Sequence, residues 1–315
     1  MKNKSKICIL SLLAIFLFFG NILAQEAANE AFDKGRQYYN TGSYDKAIEE
    51  FTKAIELNPN FAEAYYSRGG AYDAKGKYDQ AISDCSKAIE LDPNYSDAYN
   101  NRGFVYAAKG NYDRSILDFS KAIELNPKLT YAYYNRGNAY HVKGNYDQAI
   151  SDCSKAIGLD PDFADAYNNR GAAYAAKGDY DQAISDYKKT IKLKPNFAEP
   201  YYNLGIAYDH KGNHDQAIAG YSKAVELNPN YALAYANRAA SYVVKGEFSK
   251  AISDCSKAIG LNSGLSEAYN NRAVAYFFKE EYAKAWADVH KVEGLGKKVD
   301  PDFLEHLKKA SGREK

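Results

Sequence analysis

The segment Ala62–Tyr95, AEAYYSRGGAYDAKGKYDQAISDCSKAIELDPNY, decides the fold, because it recurs in register along the chain. Pro59, Pro93, Pro127, Pro161, Pro195 and Pro229 are spaced 34 residues apart and fix the period. Counting from them gives eight units: 28–61, 62–95, 96–129, 130–163, 164–197, 198–231, 232–265 and 266–299. Within a unit, positions 4, 7, 8 and 11 share one helical face by the i, i+3, i+4, i+7 rule. Position 11 is Tyr in all eight units, from Tyr38 to Tyr276. Gly at position 15, as in Gly76, ends this first helix, since glycine takes the left-handed turn at least cost. Tyr78 and Asp79 open a second helix with an early carboxylate, which favours a helix N-terminus. Pro at position 32 stops it. Small residues such as Gly69, Ala81 and Ala88 stand where the two helices cross.

The period and pattern resemble the tetratricopeptide repeat. In unit 62–95 the matching residues are Tyr65, Gly69, Tyr72, Ala81, Cys85, Ala88 and Pro93, with Tyr65 in place of the usual Trp. The resemblance covers residues 28–299 and implies an all-α, right-handed superhelical solenoid of helix-turn-helix repeats. Departures gather at the ends: Ala31 for the aromatic, Ala239 and Ala273 for Gly, Ser263 for Pro, and Glu280 for the turn Gly. Residues 300–315 read as a capping helix and tail, with Asp300 as N-cap and Pro301 in the first turn. Its Phe303, Leu304 and Leu307 cover the last repeat, whose open face a solenoid must shield.

Composition agrees with a repeat framework. The chain has 315 residues, with 30 Tyr against one Trp and one Met. Positions 4, 11 and 17 hold most of those tyrosines. Lys+Arg of 41 against Asp+Glu of 40 leaves no basic excess for nucleic-acid phosphates. Lys2, Lys4 and Lys6 precede an apolar run from Ile7 to Phe19, and Ala24 offers a small residue before Gln25. Residues 1–24 therefore read as a signal peptide, with export to a periplasm or out of the cell. Anchoring in a membrane through residues 7–24 is the alternative.

Two further positions carry charge. Position 7 is Arg68, Arg102, Arg136, Arg170, Arg238 and Arg272, and position 23 is Asp84, Asp118, Asp152, Asp186, Asp254 and Asp288. Unit 198–231 has Leu204 and Gly220 there and loses both charges together. That joint loss predicts an ion pair between the two helices of one repeat, a structural role rather than an anion site. The same unit has His214 for the aromatic, which makes it the expected weak point or hinge.

Cys85, Cys153 and Cys255 all stand at position 24, two or three repeats apart, beyond the reach of a disulfide. They read as buried thiols. No metal motif, phosphate loop or nucleophile elbow is present, so neither cofactor nor metal nor catalytic residue is expected.

Positions 2, 5, 6, 9, 12 and 13 lie opposite the buried face and are expected to line the concave side, where solenoids bind. Position 6 is Asn101, Asn135, Asn169, Asn203, Asn237 and Asn271. An amide row offers donors and acceptors to an extended peptide backbone, and it is similar to the asparagine ladder of some superhelical tetratricopeptide domains. Position 5 alternates Tyr66, Asn100, Tyr134, Asn168, Tyr202, the mark of a duplicated 68-residue double unit. Acids recur at position 2, and the Lys and Arg that a carboxylate clamp needs are absent from this face. The resemblance thus implies a non-catalytic scaffold for a protein or peptide partner, with Tyr and Asn binding of a polysaccharide as the alternative.

Overall fold

A computed structural model describes residues 23–312. The apolar run 7–19 lies outside the described residues, and Leu23 and Ala24 are the first of them. Among the described residues all regular structure is helical, and no helix is long and apolar enough to cross a membrane.

The chain divides into two compact units between Leu159 and Asp160. In the first, α1 (23–40) pairs with α2 (Tyr44–Leu57), α3 (Ala62–Ala74) with α4 (Tyr78–Leu91), α5 (Ser96–Ala108) with α6 (Tyr112–Leu125), and α7 (Thr130–Val142) with α8 (Tyr146–Leu159). In the second, α9 (Ala164–Ala176) pairs with α10 (Tyr180–Leu193), α11 (Ala198–His210) with α12 (His214–Leu227), α13 (Ala232–Val244) with α14 (Phe248–Leu261), and α15 (Ser266–Phe278) with α16 (Tyr282–Gly294). The last helix, α17 (Pro301–Ser311), packs on α16. Each hairpin also packs on the next one within its unit.

The turn inside each hairpin follows from glycine chemistry. Gly76 has φ 69°, and the next residue, Lys77, donates its N–H back to Tyr72 O at 2.9 Å, which satisfies a carbonyl at the helix end. Glu280 holds the same left-handed conformation (φ 60°) without glycine's freedom. Asp79 lies in the first turn of α4 but does not cap it; its carboxylate instead meets Lys109 of the following repeat. Equivalent exposed pairs join Lys75 to Asp45, Lys143 to Asp113, Lys211 to Asp181 and Lys245 to Asp215. Exposed pairs of this kind contribute little, because solvent and salt screen them.

The core of each hairpin is a small residue at position 8 against the side chain at position 24. A Cβ on Gly35 would sit 2.6 Å from the Phe51 ring, and one on Gly205 equally close to Tyr221. Where position 24 is Cys255 or Val289, position 8 carries Ala239 or Ala273, and both pairs are buried. Cys85, Cys153 and Cys255 are fully buried, and none of them forms a disulfide. Burial pushes the Cys85 and Cys255 thiols up to about 12, far from the reactive thiolate. Native protein is therefore expected to leave these three thiols unlabelled by an aromatic disulfide reagent at neutral pH, and to release them on urea denaturation. Rapid labelling of the folded chain would contradict this packing.

At the C-terminal end, Asp300 accepts the Phe303 N–H at 2.9 Å as N-cap of α17. Leu307 is fully buried in a cluster with Trp286, Val289 and Val292, and Phe303 and Leu304 pack against it. Trp286 donates its indole N–H to Ser311 Oγ at 3.1 Å.

Candidate functional site: the first-helix face

The first helices are held in place by the Arg and Asp rows. Arg136 donates from Nε and a terminal nitrogen to both oxygens of Asp152 at 2.7 and 2.8 Å, a two-pronged bond within one repeat. Its other terminal nitrogen donates to Ser120 Oγ at 3.0 Å, in the repeat before. Arg68, Arg102, Arg238 and Arg272 repeat both contacts, reaching back to Thr52, Ser86, Ser222 and Ser256. Arg170 makes the same bond to Asp186. Side-chain hydrogen bonds satisfy these guanidinium groups and hold them firmly protonated. This row fastens helices and is not available to an anion.

Unit 198–231 departs from that scheme in a way its sequence did not announce. Leu204 and Gly220 replace the pair, and Lys188 stands where the preceding repeat has its Ser or Thr. A Cβ on Gly220 would lie 2.9 Å from Tyr201 O and 3.1 Å from Gly205 N, so α11 and α12 approach closely there. Asp209 adds a second fastening. It accepts the Tyr221 hydroxyl at 2.8 Å and the Ser241 hydroxyl at 2.8 Å, and faces His214 Nδ1 at 2.9 Å. The expected loose hairpin is thus a close-packed one. The missed signal was a coupled set of departures, with Ser241 in a column otherwise mostly Ala, His214 for Tyr, and Tyr221 beside Gly220.

The inferred ligand positions divide into several environments. In the first unit, Tyr66, Ser67, Gly70, Asp73, Asn100 and Asn101 meet Arg36 and Tyr39 around a pocket of 240 Å³, so this face, expected to carry no Lys or Arg, has one at position 9 of the first repeat. These are positions 5, 6, 9 and 12 of successive first helices, so the face opposite the core is concave here. In the second unit, Ile206, Asp209, His210, Asn237 and Ala240 line a shallower hollow with Tyr221 at its floor.

The six asparagines are half-buried. Asn135 donates to Asn100 Oδ1 and Asn203 to Asn168 Oδ1, each at 3.3 Å. Asn237 donates to the Tyr202 hydroxyl and Asn271 to Ala236 O, each at 3.2 Å. Asn168 passes a further hydrogen to Glu199 at 3.2 Å. In these four repeats position 6 thus spends a donor on the repeat before it, an orientation that helical periodicity alone does not specify. Asn101 lines the pocket, and Asn169 is half-buried on α9.

The position-5 tyrosines are also half-buried. Tyr66 packs on Tyr95 at 5.0 Å and Tyr202 on Tyr231 at 4.7 Å between ring centroids. Burial pushes the Tyr66 phenol up to about 12. Tyr134 lies at the same level of exposure on α7. Of the acids at position 2, Asp165 pairs with Lys194 at 2.9 Å and Glu199 takes the Asn168 amide.

Comparisons with known proteins agree with this architecture. Profiles described as tetratricopeptide repeat match residues 62–95, 96–129, 130–163, 198–231 and 153–185, and one described as TPR repeat matches 35–76 and 171–209. No curated protein matches the sequence. Among solved structures, the chain is similar to YrrB, described as a TPR protein with an unusual peptide-binding site. They are 28% identical with a TM-score of 0.52 over 59% of this chain and 96% of YrrB. A tetratricopeptide repeat protein from Parabacteroides merdae ATCC 43184 is 19% identical with a TM-score of 0.59, over 79% of this chain and 99% of its own. MamA is 34% identical with a TM-score of 0.49, over 51% of this chain and 94% of its own. With profiles spanning residues 35–231 and helix hairpins stacked within each unit, the chain belongs to the tetratricopeptide repeat family.

Proposed function

We propose that the protein is a non-catalytic interaction scaffold that lays an extended polypeptide along its first-helix face. The observation that carries this reading is the alignment of positions 5, 6, 9 and 12 from successive first helices around one concave pocket. The Asn135–Asn100 pair spends one amide hydrogen and one carbonyl lone pair on itself and keeps the remainder for a ligand. A regular set of donors and acceptors suits a peptide main chain, whose own groups repeat regularly. The likeness to YrrB, described as having a peptide-binding site, supports the same class of partner. Export, to a periplasm or out of the cell, follows from the basic start and apolar run of residues 1–24, with anchoring through residues 7–24 as the alternative. A polysaccharide is the weaker fit, because Tyr66 and Tyr202 turn ring surface to Tyr95 and Tyr231 instead of to a sugar.

The test is crosslinking capture from the cell envelope with residues 25–315, set against the same chain carrying Asn135→Ala, Asn169→Ala and Asn203→Ala. Polypeptides held by the parent and lost by the variant are the expected result. Equal capture by both removes the asparagine row from the binding surface, and recovery of glycan alone replaces the polypeptide by a polysaccharide.

A further inference from the structure

Asp73 and Asp209 occupy the same place, position 12 of a first helix, and differ in how their charge is met. Asp209 has three partners within the protein: Tyr221 from position 24, Ser241 from position 10 of the next repeat, and His214 from position 17. At the corresponding places around Asp73 stand Cys85, Val105 and Tyr78, and none of them bonds to it. Asp73 is half-buried, and its carboxylate makes no hydrogen bond or ion pair among the described residues. The loss of solvent around it raises its carboxyl above the ordinary carboxylate range, with no compensating donor. The repeat's other inward carboxylate, Asp84, is gripped by Arg68. A charge held away from water without a partner is a cost to the free protein.

Asp73 also opens on the pocket of 240 Å³ between α1, α3 and α5. Tyr39, Tyr66 and Asn101 are among the residues that line it. Aromatic faces and edges beside a carboxylate favour an organic cation, through ring attraction and charge together. Arg36 reaches the same pocket from α1, but its guanidinium lies 5.9 Å from the Phe32 ring centroid and makes no ion pair with Asp73. A lone carboxylate is too few ligands for a divalent metal, which needs several oxygens. An anionic ligand would meet Asp73 head-on. The enclosure matches one long side chain rather than a folded surface.

We infer that this pocket is a subsite for one basic side chain, lysine or arginine, with Asp73 as its charge partner and Tyr39 and Tyr66 flanking its stem. The inference rests on the polypeptide reading of the groove and specifies what a bound segment presents at repeats two and three. Asp209, already satisfied internally, does not serve the same purpose.

The test uses the full chain and four acetylated, amidated pentapeptides, Ala-Ala-X-Ala-Ala, with X as lysine, arginine, norleucine or glutamate. Binding is followed by isothermal titration and by chemical shifts of the Asn101 side-chain amide. The lysine and arginine peptides are expected to bind about tenfold tighter than the norleucine peptide, with glutamate weakest. Asp73→Asn is expected to erase the basic preference while leaving norleucine binding unchanged and without lowering the melting temperature, since it removes an unpaired charge. Asp73→Glu restores part of it. Equal binding of lysine and norleucine, an unchanged preference in Asp73→Asn, or no binding of any pentapeptide to the parent overturns the subsite. The polypeptide reading is judged separately, since capture that depends on Asn135, Asn169 and Asn203 survives failure at Asp73.

Discussion

Replacing Asp152 with Ala is expected to destabilise the protein by about 3–5 kcal/mol, the cost of leaving a buried charge without its partner. Arg136 and Asp152 are 19% and 7% exposed at their side chains, and two hydrogen bonds join them. With Asp152 gone, Arg136 keeps Ser120 Oγ, a neutral acceptor, and the Tyr133 ring at 5.9 Å, neither of which carries a charge. The effect is expected to be far smaller when both partners are exchanged for apolar residues of similar size, Arg136→Met with Asp152→Leu, because no charge is then stranded. Urea denaturation of the single and double variants separates the two cases. If Asp152→Ala melts like the parent, the pair is solvated and contributes little. The substitution Asp84→Ala is expected to behave alike, since Arg68 has the same geometry.

Leu307→Ala is expected to cost about 2–5 kcal/mol, the range for emptying a filled core site. Leu307 is fully buried against Trp286, Val289 and Val292, and α17 has no other fully buried side chain. Repeat arrays couple each hairpin mainly to its neighbours, so the loss acts first at the end that α17 covers. Hydrogen exchange is expected to accelerate in α15 and α16 while α5 and α6 keep the parent's rates. Uniform acceleration through the chain would mean that the end cap is linked to the whole rather than to its neighbour.

The sequence exposed the repeat frame because glycine turns, prolines and small crossing residues each answer a backbone demand that few other residues meet. It also exposed the Arg–Asp bond, since one repeat lost both charges together. It did not expose the third member of that bond. Thr52, Ser86, Ser120, Ser222 and Ser256 look like ordinary helix-surface hydroxyls until the next repeat's arginine is placed over them. The Lys–Asp pairs between repeats were hidden for a similar reason, because exposed charges carry no helical periodicity of their own. At the candidate site, periodicity put the asparagines together on the face opposite the hairpin core. It could not show that Asn135 and Asn203 turn toward the repeat before, which depends on the residue at position 5 there. Asp73 was legible only by contrast with Asp209, and that contrast needed coordinates.

The arginine bond that crosses from one repeat to the hydroxyl of the one before has a bearing on the history of the gene. The same two atoms meet at each such junction, so excising or copying any 34-residue block between them rejoins an arginine to a serine or threonine. Recombination between repeats can therefore lengthen or shorten this protein without inventing a new contact surface. Unit 198–231 is the exception: Leu204 and Lys188 replace the arginine and the hydroxyl at its leading junction, and Asp209 depends on Ser241 across the trailing one. A block boundary drawn between it and unit 232–265 would strand Asp209 without that hydroxyl.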